Sequence, residues 1–340
     1  MTMAVTAAVG RVARRLWVLA FLSIYAGAPA FAADDARALL ERMVSEGGHV
    51  SFRGTMVHMC GGKVDVVSVV HRYDNGGVTE RIKTLDADGR EIVRKPGESM
   101  CIMPDQKLVM IGSLTGAAGH TDRLLAPAPS FAMANPENYS FALIGEAHVA
   151  GQVAEIVAIN PADEYRYGYR LWLHRDHAMA LKYELIAGDG SALEQTLFTE
   201  IEFPESIHGR DVEPTIATDG YVWKHMDASA ELPVSTESGS GWGATDMPAG
   251  FELVRAESLP AETGMMAHLV YSDGLAAVSV FVEAGIAESE QNQSQGRSEL
   301  GAVNAYTTLL DGYLVTAIGD VPMATAKMIS MSVAPLPTLD

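Results

Sequence analysis

The sequence predicts a mainly β, α+β protein: a large antiparallel half-barrel domain followed by a smaller α+β domain. Three observations carry this. First, Glu164 to Phe203 reads as three consecutive strands. Tyr165, Tyr167, Tyr169, Leu171 and Leu173 alternate with Arg166, Gly168, Arg170 and Trp172, and the period of two resumes at Leu181, Tyr183 and Leu185. After the turn Gly188-Asp189-Gly190 it returns at Leu193, Leu197, Ile201 and Phe203. Second, several upstream strands, Val64 to Val70 above all, are apolar on both faces, which suits a curved sheet around an apolar space. Third, the pattern weakens into Pro, Ser, Thr, Gly and acids between Pro204 and Gly241 and then resumes, which marks a linker between two units.

In chain order, Arg11, Arg14 and Arg15 precede the apolar run Leu16 to Ala28, and Ala30-Phe31-Ala32 is a small-x-small cleavage site. Residues 1–32 are therefore expected to be a signal peptide, 33–204 the large domain, 205–240 the linker and 241–340 the small domain. A retained anchor is disfavoured because the run is short and closes on Gly27 and Pro29, and no later run is long enough to span a membrane. Asp34 to Glu46 is expected to be a helix, with Ala36, Leu39, Leu40, Met43 and Val44 on one stripe and Gly47-Gly48 as the stop. Strands follow at Val50 to Cys60, Val64 to Tyr73, Val78 to Leu85, Arg90 to Arg94, Ser99 to Met103 and Lys107 to Ile111. They are separated by turn chemistry such as Asp74-Asn75-Gly76-Gly77 and Pro96-Gly97. Gly112 to Ser130 is a lid or a long loop, and strands return at Tyr139 to Gly145 and Val153 to Asn160. In the small domain, strands are expected at Phe251 to Ala256, Met266 to Tyr271, Ala276 to Glu283, Gly301 to Thr308 and Tyr313 to Gly319. A helix from Pro322 to Met331 follows them.

The formal net charge is −19, and removing residues 1–32 takes away three arginines and no acid. So acidic a chain is a poor nucleic-acid binder, since phosphate contacts need a basic face. The two cysteines, Cys60 and Cys101, fall on the first and fifth strands, and the sequence leaves open whether they pair. No nucleophile elbow, zinc-protease, phosphate-loop or dinucleotide motif is present, so no catalytic, cofactor or metal site is expected. His174 and His177 straddle a hairpin turn, where solvent exposure is the favoured reading over metal binding. Against the acidic background Arg72, Arg81, Lys83, Arg90 and Arg94 cluster on successive strands, a candidate docking patch for an acidic peptide or lipid phosphates.

The run Tyr165-Arg166-Tyr167-Gly168-Tyr169-Arg170-Leu171-Trp172-Leu173, with Phe52-Arg53-Gly54-Thr55, Glu80-Arg81 and Tyr271-Ser272-Asp273-Gly274, resembles the RseB/MucB family, regulators of the envelope-stress sigma factor (sigma-E/AlgU). The resemblance implies a large domain similar to the LolA and LolB lipoprotein carriers, an open half-barrel with an apolar concave face. It further implies a non-enzymatic role in the periplasm. Such a protein binds the periplasmic part of an RseA/MucA-like anti-sigma factor, shields it from the site-1 protease, and lets go when an envelope-stress lipid or lipopolysaccharide fragment binds. Candidate lipid contacts are Val66, Tyr167, Tyr169 and Trp172; candidate partner contacts are the five basic residues above. The alternative is a lipid or lipoprotein carrier of LolA type, against which the second domain argues.

Overall fold

A computed structural model describes residues 30–86, 89–112, 137–225, 240–261, 264–284 and 296–336. The expected signal peptide up to residue 29, most of the Gly112 to Ser130 excursion and residues 226–239 of the expected linker lie outside these. The first helix, α1 (Ala30–Glu46), begins before the expected Asp34 and ends at the Gly47-Gly48 stop.

The large domain is one open sheet built from two antiparallel meanders. The first comprises β1 (Phe52–Cys60), β2 (Lys63–Asp74), β3 (Gly77–Thr84), β4 (Glu91–Lys95), β5 (Glu98–Met103) and β6 (Leu108–Gly112). The second comprises β7 (Tyr139–Val149), β8 (Gln152–Pro161), β9 (Gly168–His174), β10 (Ala180–Ile186) and β11 (Ala192–Glu202). They are sewn together by pairing of β1 with β11, and β12 (Val222–His225) adds in parallel to β6, giving the order β12-β6-β5-β4-β3-β2-β1-β11-β10-β9-β8-β7. The turn from β2 to β3 shows why the glycines are placed as they are. Asn75 and Gly76 have φ of 49° and 76°, the two left-handed residues of a hairpin turn whose twist matches that of the strands it joins.

One face of this sheet is the core. Ala36, Leu39 and Leu40 of α1 pack on Val157, Ile159, Leu171, Leu173 and Tyr183. Phe52, Met56, Val67, Val69, Ile82, Leu181, Phe198 and Ile201 form a second cluster. Fully burying each such side chain contributes about 1.5–3 kcal/mol. The two-sided apolarity of β2 has a cause the sequence did not disclose. Its Val70 points to the other face and is buried under Ile207 and Val212, which flank and end a 3-10 turn (Gly209–Val212). Thus residues 205–225, expected as linker, lie along the sheet and supply β12.

The second domain holds β13 (Trp242–Ala244), β14 (Glu252–Ala261), β15 (Gly264–Ser272), β16 (Ala277–Ala284), β17 (Gly296–Leu300), β18 (Val303–Leu310), β19 (Tyr313–Gly319), α2 (Met323–Met331) and β20 (Val333–Pro335). Six of these strands form a sheet in the order β14-β15-β16-β19-β18-β17, and β13 pairs with β20 apart from it. Leu269, Tyr271, Val278, Val280, Val282, Val315 and Ala317 of the sheet meet Ala326 and Ile329 of α2 in one core.

Both cysteines are free. They sit on β1 and β5, four strand spacings apart in the sheet order, about 19 Å at ~4.8 Å per spacing, far beyond the ~7 Å a disulfide tolerates.

Candidate binding surfaces

On the face away from α1, the strand registers align Val66 with Val57, Val57 with Leu197, Leu197 with Lys182, Lys182 with Trp172, and Trp172 with Ile156. All six are half-buried, so a row of mostly apolar side chains crosses six strands with one side to solvent. One charge sits on the row: Lys182 Nζ lies 4.3 Å from the centroid of the Trp172 ring, a cation–π contact, and is neutralised by Glu184 Oε1 at 2.9 Å. Two of the four candidate lipid contacts, Val66 and Trp172, belong to this row.

The other two go elsewhere. Tyr169 is an odd residue of β9 and packs on the α1 side. Tyr167 is not in a strand at all, because β9 starts at Gly168. It is buried against Leu185 of β10 and Ala302 of the second domain, and its hydroxyl accepts from Asn304 Nδ2 at 2.8 Å. The residues before it also turn to the second domain: the Tyr165 carbonyl accepts from Thr325 Oγ1 at 2.7 Å. The expected strand from Tyr165 to Leu173 is therefore half strand and half domain junction.

At the centre of that junction lies Arg166, 2% exposed, which the alternation placed among polar positions. Its Nε donates to Asp273 Oδ2 at 2.6 Å, its other nitrogens reach Asp163 and the Ala249 carbonyl, and its guanidinium lies against the rings of Tyr139 and Phe251. Tyr139 donates to the same Oδ2 at 2.7 Å, and Oδ1 takes the amides of Leu275 and Ala276 at 3.0 and 2.8 Å. Burial, the Asp273 charge and that hydrogen bond push the Tyr139 phenol well above its ordinary range, so it remains a donor. For Arg166, burial works against the charge, but Asp273 and Asp163 outweigh it and raise the pKa.

The basic cluster divides between the two faces. Arg72, Arg81 and Lys83 share the face of Val70, whereas Arg94 points to the core side. Arg72 meets Asp74, and Arg94 Nη1 is 3.4 Å from Glu80 Oε2. Arg81 lies 3.7 Å from Glu91 and donates to the Glu213 carbonyl, and Lys83 donates to Thr215 Oγ1 at 3.1 Å. Glu91, entirely buried, fastens the same segment by accepting from the Thr215 amide and hydroxyl and the Ile216 amide at 2.8, 2.9 and 3.0 Å. Arg90 alone of the five is exposed. Arg90→Glu is accordingly expected to leave stability within ~0.5 kcal/mol, while Arg81→Glu strips a buried carboxylate of its guanidinium and costs about 2 kcal/mol or more. Urea midpoints of the two variants check this.

Two histidines give the domain opposed pH responses. His71 has an acceptor on each ring nitrogen, Glu80 Oε1 at 3.1 Å and the Gly48 carbonyl at 3.1 Å, which only the imidazolium can satisfy together. Burial lowers its pKa, but the Glu80 and Gly48 contacts prevail and raise it. Its contribution is complete below the unfolded pKa of ~6.5 and is lost as pH rises through the folded one. His174 is the reverse: Nδ1 accepts the amides of Asp176 and His177 at 3.1 and 3.2 Å, and burial, then His177, lower its pKa. That contribution is present above ~6.5 and is lost as pH falls. On going from about pH 8 to pH 5.5, the stability lost by His71→Gln should grow and that lost by His174→Gln should shrink, read from urea unfolding at each pH.

An open antiparallel sheet, an apolar row on its outer face and a second sheet docked through a buried arginine define a two-domain, mostly β protein. The chain belongs to the MucB/RseB family: the MucB/RseB N-terminal domain matches residues 35–216 and the MucB/RseB C-terminal domain residues 236–334. The sigma factor AlgU regulatory protein MucB of Pseudomonas aeruginosa is 30% identical over 332 residues, covering 94% of this chain and 96% of that protein. The sigma-E factor regulatory protein RseB of Escherichia coli K12 is 24% identical, covering 94% and 98%. Among solved structures, the MucA/MucB complex of P. aeruginosa matches with a TM-score of 0.69 at 28% identity, over 89% of this chain and all of the matched one. A crystal structure of MucB matches with a TM-score of 0.58, over 89% of this chain and 98% of the matched one. No helix among the described residues is long and apolar enough to cross a membrane.

Proposed function

We propose that this chain is a periplasmic regulator, exported by residues 1–32, that binds the periplasmic segment of a MucA-like anti-sigma factor. It shields that segment from the site-1 protease and releases it when an envelope-stress lipid or lipopolysaccharide fragment binds. The observation that carries the reading is the likeness, over nearly the whole chain, to MucB in complex with MucA(peri). The domains are taken as 33–204 and 241–340; of the segment 205–240 between them, residues 205–225 belong with the large domain's sheet.

The lipid part of the reading rests on the row from Val66 to Ile156, an apolar strip that a single acyl chain could cover. Among the candidate partner contacts, exposed Arg90 remains the one open to an acidic segment. The carrier alternative fits less well, because the second domain is docked on the large one by a buried ion pair rather than tethered loosely.

The test is proteolysis of the cognate anti-sigma segment by the site-1 protease, with and without saturating mature chain. Cleavage is expected to slow at least about tenfold, the fraction left free at ten times a dissociation constant. Equal rates would remove the regulatory reading.

A further inference from the structure

At the seam where the two meanders join, the register places Cys60 opposite Glu194 and His58 opposite Thr196. His58 and Cys60 are two apart on β1 and so share a face, and directly opposed residues bring their Cβ atoms to about 4.5–5.5 Å. An imidazole nitrogen, a thiol sulfur and a carboxylate oxygen thus converge with all donor atoms within 4.8 Å of one another. His58 and Glu194 are buried, at 4% and 7% exposed, and His58 Nδ1 stands 3.8 Å from Glu194 Oε1.

We propose that His58, Cys60 and Glu194 form a site for a thiolate-tolerant divalent transition metal of the zinc class. The donor set makes the choice: imidazole, thiolate and carboxylate suit Zn²⁺, whereas Mg²⁺ and Ca²⁺ take oxygen. Metal–ligand bonds of about 2.0–2.3 Å in a tetrahedron put donors about 3.3–3.6 Å apart, so side-chain shifts of about 1 Å close the site. A thiolate and a carboxylate bring two negative charges into a largely buried place, and a divalent cation balances them. Supporting groups are already in position. Tyr183 donates to Glu194 Oε1 at 3.0 Å, and Thr196 Oγ1 lies 2.9 Å from His58 Nδ1, so the ring binds metal through Nε2 with the threonine contact kept, or through Nδ1 with it given up. A groove of about 340 Å³ lined by Met59, Cys60, Lys63, Leu193 and Glu194 opens beside the donors, giving an entry path and room for a water as fourth ligand.

The second domain closes over the site. A Cβ at Gly301 would come within 2.5 Å of Cys60 Sγ, and Gly301 has φ +62°, so only glycine fits this approach. A metal here ties β1 to β11 beneath that contact, and occupancy stabilises both the seam and the docking.

The experiment uses the tag-free mature chain, stripped with chelator under reducing conditions and titrated with Co²⁺, then with Zn²⁺ in competition. One Co²⁺ per chain is expected, with a near-ultraviolet thiolate-to-cobalt charge-transfer band that Zn²⁺ abolishes and Cys60→Ser lacks. His58→Asn and Glu194→Gln should each weaken binding about tenfold or more, as loss of a ligand does, while exposed His208→Ala should leave it unchanged. Circular dichroism of each apo variant checks its fold, and Cys60→Ser and His58→Asn decide the matter if Glu194→Gln fails to fold. Absence of stoichiometric binding, or a band and affinity unaltered in Cys60→Ser, overturns the site and leaves a cross-strand hydrogen-bond network with a free thiol.

Discussion

Replacing Arg166 by alanine is expected to destabilise the protein by about 3–5 kcal/mol, the largest effect of any single charge change proposed above. The reason is the state in which it leaves Asp273. Arg166 and Asp273 side chains are both 0% exposed, and Oδ2 is held by Arg166 Nε at 2.6 Å and by the Tyr139 hydroxyl at 2.7 Å. Without the guanidinium the carboxylate stays buried with neutral donors only, and the Ala249 carbonyl and Asp163 lose their partner too. Asp273→Asn should cost less, because the amide oxygen can still accept from Leu275 and Ala276 and Arg166 retains Asp163. The two losses should not add, since each variant breaks the same contact. Urea unfolding gives the free energies, and calorimetry should show the two domains melting apart in Arg166→Ala. A loss below ~1 kcal/mol would mean that water replaces the arginine and that the junction does not couple the domains.

What the sequence disclosed and what it hid follow from the range of the interactions. The β-meander around Leu171, Tyr183 and Leu197 is local: alternation sets the face and Gly188-Asp189-Gly190 sets the turn, so both can be read within forty residues. The junction is not local. Arg166 sits at an even position beside Gly168 and Arg170 and imitates a solvated face, and its partner lies 107 residues further on. The Asp273 of Tyr271-Ser272-Asp273-Gly274 was visible only as a turn residue, which it also is. The apolar row depends on β1 pairing with β11, a register across roughly 140 residues, so Val57, Leu197 and Ile156 are legible in the sequence as strand residues but not as neighbours. The same distance hid the approach of Glu194 to Cys60 and His58. Residues 205–225 differ from the expectation for another reason: Pro, Ser and Thr read as linker, whereas two of the apolar residues among them, Ile207 and Val212, are buried, with Val70 as their partner.

That row supplies the second large effect. If a lipid acyl chain lies along Val66, Val57, Leu197, Trp172 and Ile156 and favours the partner-free form, the preformed complex with the anti-sigma segment should dissociate at a lipid concentration that depends steeply on chain length. Each buried methylene contributes ~0.8 kcal/mol, so a fragment four carbons shorter should need about two orders of magnitude more lipid. Trp172→Ala removes the largest side chain of the row and should raise the concentration about tenfold or more, from roughly 1.5 kcal/mol of lost apolar contact. Tyr167→Phe, whose hydroxyl is engaged with Asn304 inside the domain junction, should leave lipid sensitivity in place. The measurement is release of a labelled anti-sigma segment during titration with lipid fragments of graded acyl length, kept below their aggregation concentrations. Release that ignores chain length and Trp172 but is lost in Arg90→Glu would move the lipid contact from the apolar row to the charged edge of the sheet, with the head group rather than the chain as the recognised part.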